Sequence, residues 1–380
     1  MHPLHELTLD ELRRRTSMKW REHPDDVLPM FVAEMDAPLA EPVAKALHDA
    51  VGRGDTGYPS PQPLYAEAWA ELSADRWGVE VDIARTADVA DVMTGIATAI
   101  ALVSSPGDPV VVNPPVYPPF FEAVRQCERS LVEAPLGSDG RLDPQELGET
   151  FERAAFGGRA VTYLLCSPHN PTGAVHTREE LEAVARLAGE HRVRVVVDEI
   201  HSPLAPRDFV PYLDVAGSAD AYAVVSASKA WNLAGIKAAL LIGGVATSDE
   251  LAGMSWLVSH GPSHLGTIAH VAAMREGRDW LDAVVADLVD NRAQVARFLA
   301  TELPDVRAHL GPGTYLGWLD LRPLGLGDDP AATLLQRGRV ALQPGLPFGH
   351  GEGHVRLNYA TTPQVLADGL ERIARGVGHG

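Results

Sequence analysis

Lys229 stands in "SASKAWNLAGIK" (226–237), just after two small hydroxyl residues, Ser226 and Ser228, in a segment that directly follows the apolar run 221–225. A lysine at a strand end is costly to bury, and a desolvated lysine is a nucleophile toward carbonyl carbon. Other groups match that chemistry. Asp198 closes "VVVDE", Asn170 lies in the turn "SPHNPTG", and Tyr117 lies in "PPVYPPF". Gly95, in "MTGIATAI" (93–100), marks a turn opening a helix whose first N–H groups would face an anion. Ser226, Ser228 and Lys237 add two hydroxyls and a second cation after the lysine's own strand. An amine, an acid, a donor to a ring hydroxyl and an anion cup are what an aldehyde cofactor with a pyridine ring and a phosphate requires, and Tyr117 could stack on the ring face. Taken singly, each has a plainer reading. Asp198 can cap a turn, Asn-Pro and Thr-Gly are turn formers, and Tyr117 can pack between prolines.

These residues need a frame that brings strand ends together. Short β-branched runs alternate with helical stretches through the middle of the chain: 109–112, 160–166, 193–199, 221–226 and 238–244 read as buried strands. Residues 177–191 read as an amphipathic helix opened by a Thr177/Glu180 capping box. Strands separated by helices predict parallel pairing, and ligands of such sheets bind beyond the carboxyl ends of the strands. Lys229, Asp198 and Asn170 all follow strands. After about residue 275 the pattern changes to a long helix (277–303), alternating strands (314–321 and 354–360) and a closing helix. A second, α+β domain is expected there, joined by the N-terminal stretch. The predicted organisation is a large domain over 51–275 and a small one over 1–50 and 276–380.

Composition narrows the function. With 380 residues, 46% hydrophobic and 22% charged, the chain can bury a sizeable core. A net charge of −19 argues against nucleic-acid and anionic-membrane partners, so an anionic ligand needs a local positive site. Two cysteines and no Cys/His cluster point away from disulfides and structural metal. There is no apolar run of signal-peptide or membrane-spanning length, and a cytoplasmic location is expected. The GxG-like string "GPGTYLG" (311–317) lacks the spacing of a dinucleotide fold, which weighs against a nicotinamide oxidoreductase. The intact lysine weighs against a non-catalytic binding module.

Taken in order, the segments "TSMKW", "PMFVAEMDAP", "GYP", "PPVYPPF", "CSPHNPTG", "VVDEIH", "SASKAWNLAGIK", "TYLGWLD", "PGLPFG" and "VRLNYA" resemble fold-type I enzymes that use pyridoxal 5′-phosphate (PLP). The likeness is to the cystathionine β-lyase/C–S lyase subgroup (the MalY/PatB type) of the class I/II aminotransferase superfamily, and it runs along nearly the whole chain. It implies an α/β, PLP-dependent transferase-like large domain with a mostly parallel sheet, plus a smaller α+β domain. By the same resemblance Lys229 is the amine that carries the cofactor and Asp198 pairs with the pyridine nitrogen. Asn170 would bind the ring oxygen, with His201 beside it, and Tyr117 would stack on the ring. Gly95, Ile96, Ala97, Ser226, Ser228 and Lys237 would hold the phosphate. Arg356 would take the substrate carboxylate as a bidentate fork, and Glu34 would line the substrate entry. Tyr58 would reach the phosphate of a partner subunit's cofactor, which implies a homodimer with shared active sites.

Four features depart from the pattern. Lys237 stands where an arginine is common, Glu34 where the subgroup reads "VADMD", and Pro203 where an acid is frequent; the helix from Gly95 also reads about a turn short. The cofactor alone leaves two reactions open, β-elimination of a cysteine S-conjugate and transamination. His201, three residues after Asp198, stands where many aminotransferases have a tyrosine and where the C–S lyases have histidine. That favours elimination.

Overall fold

The computed structural model of the chain describes residues 1–60 and 62–378. They gather into two compact units. The larger comprises residues 39–168 and 175–278; the smaller comprises residues 1–38, 169–174 and the chain from Asp279 on. The helix Glu41–Gly52 thus belongs to the larger unit, although the sequence reading set the break after residue 50.

In the larger unit a seven-stranded sheet is built from β1 (Thr86–Val89), β2 (Pro109–Val112), β3 (Ser130–Glu133), β4 (Val161–Cys166), β5 (Val193–Asp198), β6 (Tyr222–Val225) and β7 (Ala239–Gly243). Its order is β1-β7-β6-β5-β4-β2-β3. The strands from β2 to β6 pair in parallel. β7 runs antiparallel to both neighbours, a departure from the parallel expectation. The reason is local: no crossover helix separates β6 from β7, and a chain that turns back without one must pair antiparallel. β2, β4, β6 and β7 are buried through their length, as central strands covered on both faces must be. β1 and the half-exposed β3 escaped the sequence reading, because neither carries a continuous apolar run.

Four helices of this unit matter for the site: α1 (Leu64–Trp77), α2 (Val92–Val103), α3 (Arg178–His191) and α4 (His264–Glu276). The predicted capping box opens α3: Thr177 Oγ1 accepts the Glu180 N–H at 3.2 Å, and Glu180 Oε2 accepts the Thr177 N–H at 2.7 Å. α2 lies so close to β6 that a Cβ at Gly95 would sit 2.6 Å from Val224 Cγ1.

The smaller unit holds an antiparallel sheet of β8 (Arg307–His309), β9 (Leu316–Asp320), β10 (Gln343–Pro344) and β11 (His354–Asn358), in the order β10-β11-β9-β8. α5 (Arg278–Glu302) leads into it and α6 (Pro363–Val377) closes the chain. The N-terminal segment joins through parallel pairing of Leu28–Pro29 with Val340–Ala341.

Candidate active site

In the larger unit the strand ends carry the expected groups. Asp198 pairs across the sheet with Val224 of β6, and Lys229 follows that strand four residues after Val225. Asp198 is buried. Its Oδ1 accepts the Ile200 N–H at 3.0 Å. Burial pushes the carboxyl up to about 7, against the Ile200 bond and the charge of Lys229, which favour its ionised form. Lys229 itself is half-buried. His201 is buried and opens the 3₁₀ turn Ser202–Leu204, where Pro203 occupies a first-turn position that needs no N–H. Tyr117 is half-buried, edge-on to Phe120 with ring centroids 6.0 Å apart. Two buried hydroxyls in these strand-end segments, Ser167 and Ser202, have no hydrogen-bond partner among the described residues. A buried carboxyl held near neutrality and two unsatisfied hydroxyls fit a polar, cation-bearing ring rather than an apolar core.

The expected anion cup is arranged differently. Gly95 sits one turn inside α2, with its N–H donating to the Asp91 carbonyl at 3.0 Å, and Ile96 and Ala97 follow within the helix. The amides left over at this terminus therefore precede Gly95, whose lack of a side chain serves the approach to Val224. Asp91 caps the helix, its Oδ1 accepting the Thr94 N–H at 2.8 Å, while Oδ2 pairs with Lys237 Nζ at 2.7 Å. Burial works to raise the Asp91 carboxyl, but Lys237 and Thr94 outweigh it and hold it below its usual range. Sequence reading missed Asp91; an aspartate just before a helix is the signal that would have found it. The Ser226 hydroxyl donates to the Ala238 carbonyl at 2.8 Å and accepts the Ser228 N–H at 3.1 Å, so it shapes the turn. Ser228 is half-buried. Tyr58 projects outward, 90% exposed.

The smaller unit carries Asn170, Arg356 and Glu34. Arg356, on β11, is buried rather than a surface arginine. Its Nη1 donates to Asn170 Oδ1 at 3.2 Å, its Nη2 to the Phe31 carbonyl at 3.0 Å, and its guanidinium lies over the Phe348 ring at 5.1 Å. The turn bearing Asn170 is seated on residues 311–313, where Gly311 and Gly313 donate to the Thr172 and Gly173 carbonyls. A Cβ at Gly311 would strike the Gly173 backbone. That accounts for the leading glycine of the GxG-like string, which permits this close approach. Glu34 accepts from the Ser17 hydroxyl at 2.8 Å, and its carbonyl accepts from Asn358 Nδ2 at 2.7 Å and Lys19 Nζ at 3.2 Å. Beneath it, Lys19 and Asp36 form a buried ion pair at 2.8 Å, joined by Trp20 Nε1 at 3.2 Å. "TSMKW" and "AEMD" are thus two halves of one clasp that fixes residues 31–36.

The profile of the family "Aminotransferase class I and II" matches residues 26–373. A protein of Mycobacterium leprae provisionally named cystathionine beta-lyase is 48% identical over 396 residues, covering 99% of this chain and 98% of its own. The cystathionine beta-lyase of Corynebacterium glutamicum is 32% identical over 374 residues, covering 96% and 98%. Among solved structures, cystalysin from Treponema denticola, which contains a pyridoxal 5′-phosphate cofactor, superimposes with a TM-score of 0.89 at 25% identity, covering 100% of this chain and 99% of its own.

Proposed function

Because this chain belongs to the aminotransferase class I and II family, we propose that it is a PLP-dependent carbon–sulfur β-lyase, releasing thiol, pyruvate and ammonia from a cysteine S-conjugate such as L-cystathionine. The observation that carries the reading is the pairing of strand ends in the larger unit. A buried Asp198, held near neutrality, closes the strand beside the one that leads to Lys229.

When bound, the cofactor supplies a protonated pyridine ring that takes up the electron pair left at Cα. Asp198 keeps that ring nitrogen protonated, and its carboxyl gains the cation that makes ionisation favourable. Lys229 Nζ would hold the cofactor's aldehyde carbon and would be the base for the substrate's Cα proton. His201 and Asn170 are the groups we assign to the ring oxygen, and Tyr117 to the ring face. Ser226, Ser228, Lys237 and the first turn of α2, with Gly95, Ile96 and Ala97 behind it, form the phosphate end. Arg356 is assigned to the substrate carboxylate and Glu34 to the entry of the substrate pocket. The large PLP-binding domain corresponds to the larger unit. Tyr58, exposed on this chain, would reach the cofactor of a partner in a homodimer. We place the enzyme in the cytoplasm.

The test is to incubate the purified protein with PLP and L-cystathionine, without a 2-oxo acid, and to follow pyruvate and free thiol together. Equal yields of both are expected, and Lys229→Ala abolishes them. Turnover that appears only when a 2-oxo acid is added would make the protein a transaminase instead.

A further inference from the structure

We infer that Tyr65 and His270 are positioning residues for Lys229, holding the Ser226–Lys229 turn through a one-directional line of hydrogen bonds that starts at the Ile236 carbonyl. The inference rests on the reading of Lys229 as the cofactor-bearing amine. Tyr65 lies on α1 and His270 on α4; they are 1% and 0% exposed. The Ile236 carbonyl can only accept, so His270 Nε2, 2.8 Å away, carries the proton. Burial lowers the imidazole to about 4, so the ring is neutral near pH 7 and Nδ1 keeps a bare lone pair. The Tyr65 hydroxyl, 3.0 Å from Nδ1, must then donate to it. Burial also raises the tyrosine, which stays protonated.

The Tyr65 oxygen is left to accept. It accepts the Ala227 N–H, 3.4 Å away, and lies beside the Ser226 hydroxyl, whose own proton goes to the Ala238 carbonyl. Ser226 in turn accepts the Ser228 N–H at 3.1 Å. The amides of the two residues before Lys229 are therefore both held, one by Tyr65 and one by Ser226. On the other side the turn is closed by Trp231 N–H to the Ala227 carbonyl at 3.0 Å and Leu233 N–H to the Ser228 carbonyl at 2.8 Å. The charged group acting on the Tyr65 hydroxyl is Asp88 of β1. Arg275 of α4 is engaged with Glu67 and Glu71 of α1. Nothing in the proposed chemistry calls for a buried tyrosine–histidine pair at this distance along the chain, and a core of ordinary packing would use apolar residues here.

The test compares Tyr65→Phe and the double variant Tyr65→Phe/His270→Leu with the wild-type chain, each loaded with PLP. The readouts are the pH midpoint of the cofactor's visible absorption band, PLP retention, kcat and KM with L-cystathionine, and the thermal midpoint of the apoprotein. Tyr65→Phe strands both His270 Nδ1 and the Ala227 N–H and lowers the thermal midpoint, whereas the double variant relieves Nδ1 but leaves the Ala227 N–H and the Ile236 carbonyl without their partners, and recovers only part of the loss. Both variants are expected to shift the pH midpoint by about 0.5 unit or more and to lower kcat by about threefold or more, with KM less affected. If the pH midpoint and kcat return to wild-type values in the double variant as the thermal midpoint recovers, the pair is merely structural and the inference is overturned. An unshifted band in Tyr65→Phe overturns it as well. The separate failure, a wild-type band that survives Lys229→Ala, removes the reading of Lys229 and this inference with it.

Discussion

Asp198 and Glu199 are consecutive, and burial raises both carboxyls, to about 7 and about 8. Glu199 accepts the Tyr212 N–H at 2.7 Å, which favours ionisation, while the neighbouring Asp198 adds to the upward shift. Between the ordinary carboxylate range near 4 and these values, the folded apoprotein holds protons that the unfolded chain has released. Stability is therefore present at low pH and is lost as pH rises through the folded values, over a window of about 4 to 8. PLP changes Asp198's part of that balance, because a pyridinium favours the ionised carboxyl. Thermal melts of apo- and PLP-loaded protein across this window check the sign. The apoprotein's midpoint should fall with rising pH, more steeply than the loaded protein's, and Asp198→Asn should flatten the apoprotein slope. An apoprotein profile that is level or rises from pH 5 to 8 (roughly the span between the two states' pKa values) would contradict the burial argument.

At the scale of elements, the contact between α2 and β6 ties the expected phosphate end to the strand that delivers Lys229. Gly95 permits it, since any Cβ there meets Val224 Cγ1 at 2.6 Å. Gly95→Ala should cost about 1–3 kcal/mol through forced displacement, read as a lowered denaturation midpoint, and Val224→Ala in the same chain should recover much of the loss. An unperturbed Gly95→Ala variant would mean the helix shifts without penalty. The same pair marks what a sequence can and cannot disclose. Glycine at 95 was legible as a special position, but its purpose was not, because close packing depends on Val224, far along the chain. β5 and β6 were legible from short valine-rich runs, and α3 from its capping box. The reversed β7 was not, since direction is set by the connection rather than by the strand's own residues. Arg356 was legible only through the resemblance; its burial comes from Phe31, Asn170 and Phe348, which are scattered over the chain.

For the molecule as a whole, a net charge of −19 repels an anionic phosphate and a carboxylate-bearing substrate alike, so cations have to be concentrated locally. In the proposed site this falls to Lys229 and to Lys237, the latter paired with Asp91, in the larger unit, and to Arg356 in the smaller. Tyr58 stands apart: 90% of it is exposed, whereas six of the other seven tyrosines, among them Tyr65, Tyr163 and Tyr222, are deeply buried and the seventh, Tyr117, is half-buried. An aromatic so exposed packs against little of its own chain, and the proposed homodimer gives it a place at the partner's cofactor. If sites are shared in this way, lesions in Lys229 and Tyr58 must complement each other. In a two-fold dimer that joins one Lys229→Ala chain to one Tyr58→Ala chain, one site collects both lesions and the other collects neither. Unfolding and refolding the two inactive variants together at equal concentration should return about a quarter of wild-type activity, half of the dimers being mixed and half of their sites intact. Sites contained within single chains would give no recovery on mixing, and the activity of the refolded mixture against each variant refolded alone decides between the two.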